Sequence, residues 1–271
     1  MKAPNVRLLS FFIAITTCLS VFFIGCEKKT ETNNFSNETM ETDPTAFDLL
    51  TQAFKKTNAE KSLIMSGSVK YDPKYIGEQE YYYGTFTQNE KGQLVAFLEN
   101  YESSCYYEYD KKYLKYGINM AKSGLKTLDS PATIGTACIE DWVLPSFGFS
   151  DFETFAKAMD KAVDDIVTEN GTTTISFTSS FLGYFRIAKG DEYEDWYRSL
   201  DQSLISSLKF SNSDMKIVID ENGRLSEFTL ILKTTSGTTT TTFLLYNFGH
   251  NETVTEPNWK NEIGKLQLKN N

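Results

Sequence analysis

Residues 215–233 read MKIVIDENGRLSEFTLILK, and this stretch decides the fold class. Two apolar runs rich in β-branched residues flank a turn signal at Asn222-Gly223. That pattern predicts an antiparallel hairpin with strands at 215–219 and 225–233. A third apolar run follows another short turn, so the C-terminal part of the chain is predicted to be a three-stranded meander.

Most of the other strand-like runs lie in the first half of the chain, and short turn signals join several of them. Short connections indicate antiparallel neighbours, so this half is also predicted to be a meander. The remaining predicted strands cover residues 63–71, 80–88, 93–101, 105–109, 113–118, 172–178 and 239–248.

Three helices are predicted from capping residues and from apolar side chains at helical spacing. Proline at the first helical position begins one of them, and capping pairs begin the other two. Helices placed between groups of strands indicate an α+β fold with one antiparallel sheet. The starts are Asp43-Pro44, Ser150 with Glu153, and Asp191 with Glu194, and the middle helix is predicted to run through Phe152, Phe155, Met159, Val163 and Ile166 to Asn170-Gly171.

Several predicted strands are apolar on both faces, which bears on function. Along 225–233, Leu225 is expected on the face opposite Phe228. Along the last strand, Leu244 is expected opposite Phe243. A sheet that is apolar on both sides needs both sides covered, by helices, by its own curvature or by a ligand.

The N-terminus has the layout of a secretory signal. Lys2 and Arg7 give a cationic start, and the apolar run 8–24 follows. The run is at the short edge of what spans a bilayer, since about 20 residues are typical. An uncleaved membrane anchor is therefore the alternative to a cleaved signal.

The apolar run ends at Phe23-Ile24-Gly25-Cys26, which resembles a bacterial lipobox. A lipobox has an aliphatic residue three places before the cysteine and a small residue directly before it; Phe23 departs from the usual leucine. The resemblance implies that residues 1–25 are removed as a signal peptide and that Cys26 receives acyl chains such as palmitate. Two or more chains would hold the protein stably on the extracytoplasmic face of a bacterial membrane.

The charge of the chain excludes one class of partner. Removing residues 1–25 takes away Lys2 and Arg7 and no acid, which leaves 25 basic against 36 acidic residues and changes the net charge from −9 to −11. An acidic body without a Lys/Arg cluster repels phosphate backbones, so nucleic acid is excluded as a partner.

Composition divides the chain behind the signal into two parts. Residues 26–44 are predicted to be the lipidated cysteine and a flexible tether, because Phe35 and Met40 are the only large apolar residues after Cys26 in that segment. Residues 45–271 are predicted to form a single α+β domain.

The whole layout resembles a known family. Cys26 at a lipobox, a polar tether, a helix leading into LIMSGSVKY, the hairpin MKIVIDENGRLSEFTLIL and a VTEP tail are similar to bacterial lipoproteins of the LolA/LppX type. The resemblance implies a curved, half-barrel antiparallel sheet with helices packed on its concave face. It also implies an apolar cavity that in some members holds lipid, and it supplies no catalytic residue.

Catalytic and metal-binding patterns are not found in the sequence. The single histidine, His250, excludes His-dependent triads and two-histidine metal sites within one chain. Two SxxK matches, at Ser123 and Ser206, lack the companion motifs of that chemistry. The acids that begin at Asp191 lie at a predicted helix start, where the helix dipole stabilises them. We therefore expect no enzyme activity, no cofactor and no metal.

Two cysteines remain in the predicted domain. Cys105 and Cys138 would form a disulfide in an exported body, or they would be two buried free thiols. The sequence leaves both readings open.

Two functions are predicted, and a third alternative, an enzyme, is disfavoured because no catalytic pattern is found. The first is binding or carriage of a lipid or other apolar ligand in a half-barrel cavity. The second is a cell-surface interaction or sensor-partner module whose core is filled by its own side chains and whose protein partner is unknown. The residues predicted to line the ligand cavity are Phe177, Phe228, Leu230, Leu232, Phe243 and Leu245.

Overall fold

The computed structural model describes residues 44–72, 80–100, 103–116, 124–129, 133–180, 212–234 and 237–260, with eight further residues between 183 and 198. The predicted signal segment, Cys26 and all of the tether except Pro44 lie outside these residues. So does most of the predicted third helix.

Within the described residues, eleven strands form one antiparallel sheet in the order β6-β5-β4-β3-β2-β1-β11-β10-β9-β8-β7. Two meanders, β1 to β6 and β7 to β11, meet where β1 pairs with β11. The predicted α+β fold with a single antiparallel sheet is confirmed. The strands are β1 Ser62–Asp72, β2 Glu80–Gln88, β3 Leu94–Asn100, β4 Ser103–Glu108, β5 Lys111–Tyr116, β6 Gly124–Asp129, β7 Val163–Glu169, β8 Thr172–Ser180, β9 Asn212–Ile219, β10 Leu225–Thr234 and β11 Gly237–Tyr246.

A helical layer packs on one face of the sheet, which we call the helix-covered face; the opposite one is the outer face. Phe54 of the first helix stacks on Phe152 of the last, with ring centroids 4.2 Å apart. The layer consists of α1 Ala46–Asn58, a π-helix Thr136–Val143, a 3₁₀ helix Leu144–Phe147 and α2 Phe152–Asp160.

Side-chain hydrogen bonds tie this layer to the sheet and to itself. Thr57 is fully buried, and its Oγ1 accepts from the backbone N–H of Leu225 at 2.9 Å. Asn58 accepts from the N–H of Gly135 at 2.8 Å, just before the π-helix. Glu140 accepts from the N–H of Phe152 at 2.9 Å, which ties the π-helix to the start of α2.

Two predicted helix starts were wrong by one or two residues. The N-cap of α1 is Thr45, whose side chain forms a capping box with Asp48, rather than Asp43. The N-cap of α2 is Asp151, which accepts from the N–H of Thr154 at 2.8 Å, rather than Ser150. In both cases a neighbouring residue of the same capping class has the correct backbone geometry.

The predicted end of the middle helix was also wrong. The helix stops at Asp160, and Val163–Glu169 forms strand β7. Asn170 and Gly171 have φ of 50° and 81° and join β7 to β8, so the signal interpreted as a helix stop is a two-residue hairpin turn. The β-branched residues of the segment favour the strand.

The predicted facing of Leu225 was wrong because β10 contains a bulge. The pairing of β10 with β9 shifts register between Leu225 and Glu227. The extra residue brings Leu225 to the same face as Phe228, and both side chains are fully buried. The sequence gives no signal for this insertion.

The C-terminal segment crosses the outer face of the first meander. The N–H of Gly249 donates to the carbonyl of Ser62 at 2.9 Å. Further along, the Lys260 ammonium lies 5.1 and 5.0 Å from the ring centroids of Tyr106 and Tyr113 and forms an ion pair with Glu108. We call residues 250–260 the C-terminal strap.

Candidate binding surfaces

The six residues predicted to line a ligand cavity share the helix-covered face. Phe228 pairs with Phe243 across β10 and β11. Phe177 pairs with Met215, which pairs in turn with Leu230. All except the half-buried Leu232 are at most 5% exposed.

Aromatic side chains of the helical layer fill the space above these residues. The centroid of the Phe147 ring lies 6.2 Å from the ring centroids of both Phe228 and Phe243. The centroid of the Phe155 ring lies 6.3 Å from that of Phe228. Phe147 and Phe155 are each no more than 1% exposed. In the described part of the chain, the predicted lining residues therefore pack as a core.

A small cavity lies on the helix-covered face of the described structure, between α2 and strands β8 and β9. Its volume is about 10 Å³. A cavity of roughly 10–15 Å³ is needed for one water, so among the described residues this space is far too small for an acyl chain. It is lined by Met159, Ala162, Phe177, Ser179, Ile187, Ser213 and Met215.

A polar cluster lies at the other end of the helical layer. Asp141 of the π-helix accepts hydrogen bonds from the Tyr107 hydroxyl at 2.8 Å and from Lys112 at 2.9 Å. The indole N–H of Trp142 donates to the Tyr107 oxygen at 2.8 Å. Lys112 also lies 5.3 Å from the centroid of the Tyr107 ring. The cluster fastens the π-helix to β4 and β5.

Burial dominates the electrostatics of this cluster. It raises the pKa of Tyr107 well above its ordinary value, and the neighbouring Cys105 and Asp141 raise it further. Tyr107 is therefore a neutral donor to Asp141. Sequence patterns did not predict this cluster, because its members come from three elements and form no local motif.

Cys105 and Cys138 are both buried free thiols in the structure, the second of the two readings that the sequence left open. Burial raises the pKa of Cys105 to about 12, although Lys112 opposes the shift. Burial alone raises the pKa of Cys138. Thiols held neutral in this way are poor nucleophiles.

The outer face is apolar where β2, β1 and β11 meet. Tyr83 and Leu244 flank Ser66 on the two neighbouring strands, and Tyr246 lies beside Ile64. Tyr83 is 48% exposed, Leu244 42% and Tyr246 37%. The sequence predicted apolar residues on both faces, which is confirmed; the expectation that both faces are covered is wrong for these residues. We call Tyr81, Tyr83, Leu244 and Tyr246 the outer patch.

The C-terminal strap borders an open groove on the same face. The groove has a volume of about 440 Å³, and Phe97 and Thr85 form its floor. Residues 253–258 form its wall. The groove presents mixed polar and apolar groups and no cluster of charge of one sign.

The described residues include no group of three or more His, Cys, Asp and Glu side chains that could hold a metal ion. His250 is exposed, and its backbone carbonyl accepts from the Ser62 hydroxyl. Glu194 and Asp195 are exposed, whereas Asp191, Ser123 and Ser206 lie outside the described residues. None of the described helices is long and apolar enough to cross a membrane.

No protein-family model matches the chain, and no curated protein matches it. Solved structures similar to it include LprF from Mycobacterium bovis, with 14% identity and a TM-score of 0.33, covering 78% of this chain and 96% of LprF. The lipoprotein LppX from Mycobacterium tuberculosis has 11% identity and a TM-score of 0.31, over 79% of this chain and all of LppX. The MucA/MucB complex of Pseudomonas aeruginosa has 12% identity and a TM-score of 0.37. The match covers 78% of this chain and 59% of the matched chain in that complex.

LppX is one of the two proteins that define the family resemblance seen in the sequence. A lipoprotein of the type that the sequence resembles is therefore among the solved structures similar to the chain.

Proposed function

We propose that the protein is a non-catalytic binding module, anchored outside the membrane through an acylated Cys26, and that its body docks a protein partner on the outer face. The observation that supports this proposal is the close packing of aromatic side chains on the helix-covered face in the described part of the chain. Among the described residues, Phe147 and Phe155 pack over the residues predicted to line a ligand cavity, and the small cavity between α2 and strands β8 and β9 has a volume of about 10 Å³. Binding is then left to the surface.

The outer patch has the chemistry of a protein-docking surface. Tyrosine combines a large apolar ring with a polar hydroxyl, and it is enriched in protein interfaces. Tyr83 and Leu244 lie on either side of β1, so the exposed groups form one area. The acidic body excludes nucleic acid as the occupant of this area.

Site-specific photocrosslinking in cells tests the proposal. A photoreactive phenylalanine analogue replaces Tyr83 in one variant and Leu244 in another. The control variant has it at Tyr116, which is 47% exposed and lies in β5, away from the patch. We expect one and the same protein adduct from the first two positions and none from the control. The same adducts from all three positions, or none from the patch, would contradict the proposal.

The second candidate function is binding of a lipid or other apolar ligand on the helix-covered face. The small cavity favours it, because Ser179 and Ser213 supply the only polar side chains of its lining. An acyl chain would fit there only if α2 moved away from β8 and β9. A fluorescent fatty acid tests this function: stoichiometric uptake by the wild-type protein would support it over the interaction module. Phe147→Ala is the control, because removal of this buried ring creates space for a ligand next to Phe228 and Phe243.

The anchor is tested separately. Cys26→Ser removes the sulfur that would carry the diacylglyceryl group through a thioether bond. We expect this variant to appear in the soluble extracytoplasmic fraction, whereas the wild-type chain stays with the membrane. Continued tight membrane association of the variant would favour an uncleaved apolar anchor.

A further inference from the structure

Strand β7 is the most exposed strand of the sheet. It lies at the end of the strand order and pairs with β8 alone, so in the described structure its other edge has no strand beside it. All seven residues of β7 are exposed. They include three β-branched apolar side chains: Val163 and Ile166 at 37% and Val167 at 41%.

The pairing with β8 assigns each side chain of β7 to a face. Ile166 pairs with the buried Ile175 and so belongs to the helix-covered face. Asp165, Val167 and Glu169 belong to the outer face, where two acids flank one apolar residue. Asp164 is the extra residue at the register shift between Val163 and Asp165.

The acids of β7 differ from other charges on the same sheet. Lys216 and Glu227 form an ion pair at 2.7 Å, and Lys233 and Asp214 form one at 2.6 Å. Among the described residues, no Lys or Arg forms an ion pair with an acid of β7. The strand thus offers unpaired backbone groups together with uncompensated negative charge.

A second copy of the chain is a poor occupant of this edge. An antiparallel β7–β7 pair centred on Ile166 would place six carboxylates, from Asp164, Asp165 and Glu169 of each copy, on a two-stranded ribbon. Like charges across strands are destabilising, and charged residues on an edge protect it against self-pairing. The same charges favour a strand of opposite sign.

We propose that the free edge of β7 binds an extended, basic segment of a protein partner by strand addition. Backbone hydrogen bonds to β7 would supply affinity, as in other strand-addition complexes. Lysine or arginine would lie opposite Asp165 and Glu169, and an apolar residue opposite Val167. The matching antiparallel sequence is Lys-Thr-Val-Ile-Lys. This inference rests on the proposed protein-binding role and adds a second surface, the edge of β7, together with the chemistry of the segment that it binds.

The test uses the full-length chain in nanodiscs and a fluorescent, end-capped peptide with a Lys-Thr-Val-Ile-Lys core, followed by anisotropy. The charge-reversed peptide with glutamate for lysine is the first control. We expect the Asp165→Asn, Glu169→Gln double variant to bind the basic peptide at least about tenfold more weakly, which corresponds to about 1.4 kcal/mol. The matched variant Glu90→Gln, Asp110→Asn loses the same charge in two exposed turns and should bind within about twofold of wild type.

Two N-methylated peptides separate strand addition from charge attraction. One is methylated at the amides of the threonine and isoleucine, the other at those of the two lysines and the valine. Alternate amides of a strand point to opposite edges, so strand addition predicts that one methylated peptide loses binding at least about tenfold while the other keeps it. Equal binding of both, or equal binding of the charge-reversed peptide, overturns the proposal.

Sedimentation of the same sample identifies the competing occupant. A dimer that becomes stronger in the Asp165→Lys variant, which relieves the like-charge repulsion between two β7 strands, would assign the edge to a second copy and overturn the proposal. A crosslinked partner at Tyr83 without peptide binding would remove this inference and leave the proposed function. Peptide binding without any crosslinked partner at the outer patch would remove the docking proposed for the outer patch and leave the inference about β7.

Discussion

The two faces of the sheet differ in burial although the same strands form both of them. On β11, Phe243 is fully buried under Phe147 of the helical layer, whereas the next residue, Leu244, is 42% exposed on the outer face. The comparison shows that apolar residues on both sides of a strand do not by themselves indicate a ligand cavity. One side became a packed core, and the other remained available for binding.

The largest expected effect comes from the core side of this comparison. Phe243→Ala should lower the free energy of unfolding by about 3–5 kcal/mol, because it removes a fully buried ring next to two others. Urea unfolding followed by tryptophan fluorescence measures it. A loss below about 1 kcal/mol would mean that this face is loosely packed and has room for a ligand.

The second effect depends on pH. In the unfolded chain, the Cys105 thiol ionises near its ordinary pKa of 9.0. In the folded chain, burial raises the pKa of this thiol to about 12, so it keeps its proton until that pH. Above pH 9 the unfolded state therefore binds fewer protons, and stability falls as pH rises towards 12. Between pH 9 and pH 11, the free energy of unfolding of the wild type should fall by about 2–3 kcal/mol more than that of Cys105→Ala, because each pH unit between the two pKa values contributes about 1.36 kcal/mol. Identical pH slopes would show that Cys105 does not titrate, as in a disulfide.

The third effect concerns the polar cluster that fastens the helical layer. Tyr107→Phe removes one donor to Asp141 and the acceptor of the Trp142 N–H. We expect a loss of about 1–3 kcal/mol, because partners of the hydroxyl are left unsatisfied in a largely buried site. Tyr109→Phe, at a side chain that is 42% exposed, is the matched control and should change stability by about 0.5 kcal/mol or less. Equal losses of stability in Tyr107→Phe and Tyr109→Phe would show that the cluster does not hold the π-helix on the sheet.

The smallest effect is expected on the outer face. Leu244→Ala should change the free energy of unfolding by about 0.5 kcal/mol or less, in contrast to the neighbouring Phe243→Ala. Thermal denaturation of both variants beside wild type measures the contrast. A cost of several kcal/mol for Leu244→Ala would show that this position is covered in solution and does not belong to a docking surface.

The sequence predicts the sheet well because strands and turns are local features. The run around Asn222-Gly223 predicted a hairpin that the structure contains, and the strand at 80–88 was placed with the correct bounds. The α+β class followed from the order of such elements. Helix starts were less reliable, since Thr45 and Asp151 compete with adjacent residues that cap equally well.

What the sequence could not predict depends on distant contacts. The π-helix lies where Asp141 meets Tyr107 and Lys112, residues about 30 positions earlier in the chain. Strand β7 was interpreted as a helix because Val163 and Ile166 also fit helical spacing, and only pairing with β8 decides between the two. The filling of the helix-covered face by Phe147 is likewise a matter of tertiary packing.

Native mass spectrometry of the full-length protein, extracted gently from membranes, tests the central claim most directly. A filled helix-covered face predicts a mass equal to the polypeptide and its covalent anchor, with no non-covalent lipid. A retained, stoichiometric lipid that is lost only on unfolding would contradict the claim and assign the helix-covered face to an apolar ligand.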